Sequence, residues 1–345
     1  MTDISIRING RAGRITLQRP DALNAMTYEM CTAIETAFDD WRDNADVAVV
    51  VLDAEGDRAF CSGGDIADLY ATGKAGDFAF GQKFWADEYR LNAKIFTYSK
   101  PVISFLQGFT MGGGVGIGCH GTHRVVGDTS QIAMPEVGIG LVPDVGGSLM
   151  LALAPGRLGE YLGSTATRMG PDDAIHAGFA DLYLPEADWP AQIATLETTG
   201  KTDTLEAASQ TPPSGKLRAH ETEIDRLFSG DTLSDILLVL GEDNSDFAQE
   251  TLKKLRRNSP LSVACAIETV HRLRELETTL SVEKALDLEY RFTFRAMEHG
   301  DFLEGIRAQI IDKDRNPQWQ FADGHVPMMA ISKMLQPLGD NALTF

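Results

Sequence analysis

Cysteine is scarce and scattered: the chain has 4, Cys31, Cys61, Cys119 and Cys265, and none forms a C-x-x-C pair. A zinc knuckle and a redox dithiol are therefore not expected, and single cysteines fit a reducing compartment. Long apolar runs are missing as well. The longest, such as residues 47–52 (VAVVVL), are far short of the roughly 20 residues a membrane-spanning helix needs. The N-terminal stretch MTDISIRINGRAGR has no long apolar core, so neither a secretory signal nor a membrane partner is expected, and the reading is cytoplasmic or the mature form of an organelle protein. Positive charge is short: 31 Lys and Arg stand against 50 Asp and Glu, a net charge of −19. Such a balance argues against a nucleic-acid partner, which is held through basic surface, and a polyanionic ligand would need a locally basic pocket. No G-x-S-x-G, H-E-x-x-H or H-x-x-x-H occurs, which removes the hydrolase serine elbow and the common zinc helix; no metal is expected.

What is present is an ordinary globular mixture of 345 residues, 43% hydrophobic and 23% charged. Residues 4–8 and 14–18 flank a glycine-bearing loop and read as a hairpin. Residues 27–41 carry apolar side chains at helical spacing behind a Thr27 cap. The runs 47–52, 102–106 and 123–126 read as buried strands, so strand, turn and helix recur as in an α/β layered fold. Residues 198–216, rich in Thr, Ser, Pro and Gly, read as a linker or long loop. The expected organisation is a core over 1–200, a linker over 201–220 and a helical region over 221–345. Within the last, Ser281 caps a helix through Leu286, Tyr290, Phe294 and Met297 that stops at Gly300, and Asp301 with Glu304 resembles a capping box.

Three stretches can carry chemistry. In AFCSGGDI (59–66), Asp65 can cap a following helix, and the Gly63 and Gly64 amides would lie beside its N-terminus. A tight strand-to-helix turn explains the same residues. In GFTMGGGVGIG (108–118), so many glycines would weaken an ordinary helix by about 1 kcal/mol each. Either helices pack closely there, or amides aim at a ligand oxyanion; two such glycine sites could supply both donors of one oxyanion hole. GIGCHG (116–121) also fits G-x-G-x-x-G, but the next strand leaves no room for the helix that a dinucleotide site needs. In MPEVGIGLVPDVGGS (134–148), Glu136 and Asp144 each follow a proline on a stiff loop, a placement suited to a base or nucleophile. Glu136 as a solvated carboxylate and Asp144 as a helix cap are the plain alternatives. His120 and His123 read as packed or surface residues. The run 253–257 (KKLRR) reads as a solvated helix face, with contact to ligand phosphates as the alternative.

RPDALNA (19–25), AFCSGGDI, GFTMGGGVG, MPEVGIGLVPDVGG, AIHAGFAD (174–181) and DFLEGIRA (301–308) together resemble the crotonase, or enoyl-CoA hydratase/isomerase, superfamily, in its order and over nearly the whole chain. The resemblance implies an α/β fold, a crotonase-like spiral of ββα turns followed by a C-terminal α-helical region. In detail it is similar to a thioester-hydrolase branch. Hydratases of the superfamily carry glutamate where this chain has Gly116 and usually glycine where it has Asp144, and Glu88-Tyr89 before Leu91-Asn92, with Ile311-Asp312-Lys313-Asp314, resembles the hydrolases.

By that resemblance, Gly64 and Gly113 supply oxyanion-hole amides, Glu136 and Asp144 are the catalytic acids, and Glu88 contacts the acyl group. Ala22, Leu23, Ser62 and Arg58 would meet coenzyme A, which enters as part of the substrate and not as a cofactor. The superfamily's lysine before Ala-Leu-Asn-Ala is replaced by Asp21, which moves phosphate binding to Arg58 or the 253–257 run. The implied activity is hydrolysis of a short 3-hydroxyacyl-CoA, 3-hydroxyisobutyryl-CoA first. The alternatives are hydration or isomerisation of a related acyl-CoA, and a non-catalytic acyl-CoA-binding module. A homo-oligomer, trimer or hexamer, is an expected partner state.

Overall fold

The structure is a computed structural model and describes residues 3–345; Met1 and Thr2, the start of the stretch read for a secretory signal, lie outside the described residues. By packing, the chain forms two compact units. The first comprises residues 3–65, 87–133 and 168–218, and the second comprises 66–86, 134–167 and 219–345. Each unit thus draws on three separate stretches of the chain.

The first unit is built on nine strands: β1 (Ile4–Asn9), β2 (Ala12–Leu17), β3 (Val49–Ala54), β4 (Ala59–Cys61), β5 (Val102–Phe105), β6 (Phe109–Met111), β7 (His123–Val126), β8 (Gln131–Ala133) and β9 (Leu182–Tyr183). Among the described residues they form a six-stranded sheet, β1-β2-β3-β5-β7-β9, and a three-stranded sheet, β4-β6-β8. β1 and β2 are the expected hairpin, with Ile4 opposite Leu17 and a loop of only Gly10 and Arg11. Every other pairing is parallel. Long and short strands alternate along the chain (β3 then β4, β5 then β6, β7 then β8), so each turn of the chain adds one strand to each sheet. That alternation is the ββα spiral. The fully apolar runs are explained by this arrangement, because parallel strands are covered on both faces. Val49, Val51, Ile103, Phe105 and Val125 are wholly buried in one cluster with Trp189, Leu196 and Leu205.

Leu205 belongs to a short helix, Asp203–Ala208, inside the stretch expected as a linker. One fully buried leucine docks a segment whose composition otherwise reads as loop. Thr27 caps the Tyr28–Arg42 helix by accepting from the Met30 N–H, and that helix buries Met30, Ile34, Ala37, Phe38 and Trp41, as the spacing predicts.

The second unit is helical. Its longest purely internal helix, Val282–His299, starts behind Ser281, whose side chain accepts from the Lys284 N–H, and ends at Gly300. Gly300 is extended rather than left-handed; its smallness is needed because a Cβ there would lie 2.9 Å from the Ala296 carbonyl oxygen. Asp301 and Glu304 do not form a capping box. Asp301 accepts from the Ser259 hydroxyl at 2.7 Å and the Gln320 N–H at 3.0 Å, while Glu304 pairs with Arg307. No helix among the described residues is long and apolar enough to cross a membrane.

Candidate active site

In the first unit, β4 runs out into Ser62, Gly63 and Gly64, where a single parallel bridge joins Gly64 to Met26. The Met26 N–H donates to the Gly63 carbonyl at 2.9 Å, and the Asp65 N–H donates to the Met26 carbonyl at 2.8 Å. Because Gly63 and Asp65 supply the paired groups, the Gly64 N–H between them is turned away from Met26. The left-handed φ of Gly63, +116°, makes the turn possible. Asp65 does not cap a helix: its carboxylate pairs with Arg19 at 3.1 Å, and the next helix, Ala67–Lys74, begins without a side-chain cap.

The second glycine site follows β6. Gly112 has φ +50° and ψ −122°, and Gly113 opens the short helix Gly113–Gly118, so its N–H has no partner within that helix. A Cβ on Gly113 would lie 2.8 Å from Glu88 Oε1, 3.3 Å from Met26 Cε and 3.4 Å from the Gly64 nitrogen. One on Gly63 would lie 4.0 Å from the Gly113 nitrogen. The two glycine turns and Glu88 are therefore neighbours within one unit. Gly114 allows close packing, since a Cβ there would meet the Cys61 carbonyl at 2.2 Å. Glu88 is 3% exposed, on the Ala79–Phe96 helix.

Thiol chemistry is suppressed beside this turn. Burial pushes the Cys61 thiol up to about 12 despite hydrogen bonding to Gly63, and burial raises Cys31 well above its ordinary value with Glu88 adding to the effect.

The residues expected to meet coenzyme A lie in the same unit. Ala22 ends the turn Pro20–Ala22, and the Leu23 carbonyl accepts the Ser62 N–H at 3.0 Å. Asn24 locks that turn in place through Nδ2, which donates to the Glu55 and Ala59 carbonyls, each at 2.9 Å. Arg58 is exposed and lines a small crevice with Glu55 and Asp57, so the local charge is mixed. In the second unit, Lys253, Lys254, Arg256 and Arg257 are exposed on the Asp246–Arg257 helix, which buries Ala248, Leu252 and Leu255, and Lys254 donates to Thr167 at 3.1 Å. His120 is buried edge-on against Phe96, and Thr122 meets His123 Nδ1 at 2.9 Å.

The two acids belong to the second unit. Glu136 opens the turn Glu136–Ile139 behind Pro135 and is only 4% exposed, so it is not a solvated loop carboxylate. Its loop is held from two sides. The Ser259 N–H donates to the Val137 carbonyl at 2.9 Å, and a Cβ on Gly305 would sit 2.1 Å from the Ile139 carbonyl oxygen. Asp144, also 4% exposed, does not cap a helix at Val145, because the helix Gly147–Leu153 starts later, behind Gly146. Instead the Gly147 N–H donates to the Asp144 carbonyl at 2.7 Å. Val145 has φ +53°, a conformation that costs a β-branched residue about 1–3 kcal/mol and persists only when its surroundings impose it.

Sequence reasoning missed what imposes it. Glu289, wholly buried on the Val282–His299 helix, accepts the Gly146 N–H at 2.8 Å, the Ser148 N–H at 3.0 Å and the Ser148 hydroxyl. Burial pushes its carboxyl up to about 8, the Ser148 and Gly146 hydrogen bonds pull it down, and nearby Asp144 raises it further. The available signal was a carboxylate in an apolar stripe, three residues beyond Leu286 and three before Phe292.

A family model for enoyl-CoA hydratase/isomerase matches residues 12–334. The chain belongs to the enoyl-CoA hydratase/isomerase family. Members of this crotonase-fold family process acyl-CoA, and three relatives show how names diverge within it. A 3-hydroxyisobutyryl-CoA hydrolase, mitochondrial, of Gallus gallus is 33% identical over 99% of this chain and 90% of its own. A crystal structure of an enoyl-CoA hydratase from Rhodobacter sphaeroides 2.4.1 is 54% identical, covers 100% of both chains and superposes with a TM-score of 0.95. One of a carnitinyl-CoA dehydratase from Mycobacterium thermoresistibile is 38% identical, covers 99% of this chain and 98% of its own, with a TM-score of 0.93.

Proposed function

We propose that this chain hydrolyses the thioester of a short 3-hydroxyacyl-CoA, 3-hydroxyisobutyryl-CoA above all, to the free acid and coenzyme A. The observation that carries the reading is the meeting of the Gly64 nitrogen with the Gly113 turn beside Glu88 in one unit. Two main-chain donors there suit one developing oxyanion. As water or a carboxylate adds to the thioester carbon, the C=O electron pair moves onto oxygen, and donors fixed in advance favour that state over the ground state. Collapse of the intermediate expels the sulfur as a thiolate, which takes up the proton released by water; where a carboxylate attacked, the mixed anhydride left behind is then cleaved by that water to the free acid.

Glu136 is assigned to attack the carbonyl or to activate water, Asp144 to orient the water or the substrate hydroxyl, and Glu88 to contact the acyl group. Ala22, Leu23, Ser62 and Arg58 are assigned to the coenzyme. The Gallus gallus relative, a 3-hydroxyisobutyryl-CoA hydrolase, supports hydrolysis. The 54% identical relative's name favours a second reading, hydration of an enoyl-CoA. Gly116 stands against it, because a glycine cannot supply the second acid that hydration uses at that position.

Thiol release across a panel of short 3-hydroxyacyl-CoAs decides between them. Wild type should release coenzyme A, and Glu136→Gln should fold but lose that release. Undiminished turnover in the variant, or loss of enoyl absorbance without thiol release in the wild type, would defeat the reading.

A further inference from the structure

Asp144 sits on a segment that ordinary backbone preferences would not hold. Val145 has φ +53° and Gly146 φ +78°, two successive left-handed residues directly after it. A β-branched side chain disfavours that geometry, so an isolated chain of this sequence would leave it. One side chain closes the far end of the segment. The Glu289 carboxylate takes the Gly146 N–H on Oε2 and both the Ser148 N–H and the Ser148 hydroxyl on Oε1. It reaches them from the middle of the long Val282–His299 helix, where it is wholly buried. The carboxylate fixes the 145–146 and 147–148 peptide planes through their N–H groups, and the 146–147 peptide between them is tied through the Gly147 N–H to the Asp144 carbonyl.

We infer that Glu289 is a positioning residue: it holds the 144–148 segment in the one conformation that presents the Asp144 carboxylate for reaction. It touches no reacting atom. It works through the main chain of Gly146 and Ser148, so its loss should slow the chemical step and leave binding of the coenzyme portion intact. This inference rests on the reading of Asp144 as a catalytic acid.

Glu289→Gln is the sharpest variant. Above about pH 8, where Glu289 is ionised, the variant's amide oxygen can keep the Ser148 contacts, but its NH₂ group meets the Gly146 N–H donor to donor, so that bond and the negative charge are both lost. Amide hydrogen exchange over residues 145–148 should quicken. kcat for 3-hydroxyisobutyryl-CoA should fall about 10²-fold, the scale of a misplacement near 1 Å, while KM stays within about threefold. Ser148→Ala, which removes one of the three bonds, should lower kcat about tenfold with KM similarly steady. Unchanged exchange in Glu289→Gln overturns the grip itself; quickened exchange with an unchanged kcat overturns its catalytic purpose. If Glu289→Gln does not fold, an unchanged kcat in Ser148→Ala overturns the inference. Asp144→Asn, measured alongside, separates the two readings. Wild-type turnover in that variant defeats the role of Asp144 without touching the exchange result at Glu289. If wild type hydrates an enoyl-CoA instead, the same kcat comparison is made on that reaction.

Discussion

The main-chain nitrogen of Gly64 lies 3.4 Å from where a Cβ on Gly113 would sit. Residues 49 positions apart in sequence meet because β4 and β6 are parallel neighbours, with Ala59 opposite Phe109 and Cys61 opposite Thr110. The turns leaving their ends must then be neighbours too. An added methyl at Gly113 would also lie 2.8 Å from Glu88 Oε1. Gly113→Ala should therefore displace the Glu88 carboxylate, place a methyl against the Gly64 nitrogen, and lower kcat about 10²-fold, comparable to losing one oxyanion donor. Thiol-release kinetics with a thermal melt checks this. A variant that melts as wild type and keeps its kcat would remove both amides from the mechanism.

The Glu136 loop depends on a close approach of the same kind. The α-carbon of Gly305 faces the Ile139 carbonyl so closely that a Cβ would be 2.1 Å from its oxygen, and backbone cannot swing aside as a side-chain tip can. Gly305→Ala should lower unfolding stability by about 1–3 kcal/mol, as overpacked sites do, and reduce turnover by displacing the Glu136–Ile139 turn. Urea denaturation gives the first quantity. Stability equal to wild type would mean that the 301–306 segment moves freely from the turn.

Cysteine reagents should be harmless. Cys61 ends the strand that leads into the glycine turn, yet its thiol is pushed up to about 12, as is that of Cys119, both by burial. At pH 8 roughly one Cys61 thiol in 10⁴ is ionised, and the thiolate is the reactive species. Native protein treated with iodoacetamide should keep its activity and show no label at residue 61 by mass spectrometry. Inactivation that tracks labelling of Cys61 would put a thiol in the chemistry.

Local signals were readable where the partner is close in sequence. The Ser281 and Thr27 caps act on residues three positions on, so both helices start where the pattern predicts. Asp65, Asp144 and Asp301 look like caps by the same logic and are not. Arg19 takes the Asp65 carboxylate and Ser259 takes Asp301, partners that chain order does not reveal. The Asp203–Ala208 helix was hidden in a Thr- and Pro-rich stretch because one leucine, not a repeating pattern, docks it. The glycine pair and the two acids were legible as unusual residues on stiff turns. Glu289 was not, because its three donors lie about 140 residues earlier.

That buried carboxyl makes stability depend on pH with a definite sign. Glu289 titrates at about 8 in the folded chain against an ordinary value of 4.5, with burial the leading cause and Asp144 contributing. Between about pH 5 and pH 8 the folded state holds a proton that the unfolded state has released. The associated stability is whole below the ordinary glutamate value and is lost as pH rises toward about 8, by roughly 1–1.5 kcal/mol per pH unit within the window. Other groups titrate over this range, so the measurement is a difference. Urea unfolding of wild type and of Glu289→Gln, which carries no titrating proton there, is compared at pH 5.5 and pH 7.5. The wild-type unfolding free energy should fall relative to the variant by about 2–3 kcal/mol between the two pH values. A parallel pair of stability curves would show that Glu289 keeps its charge while buried, held by Gly146 and Ser148 alone.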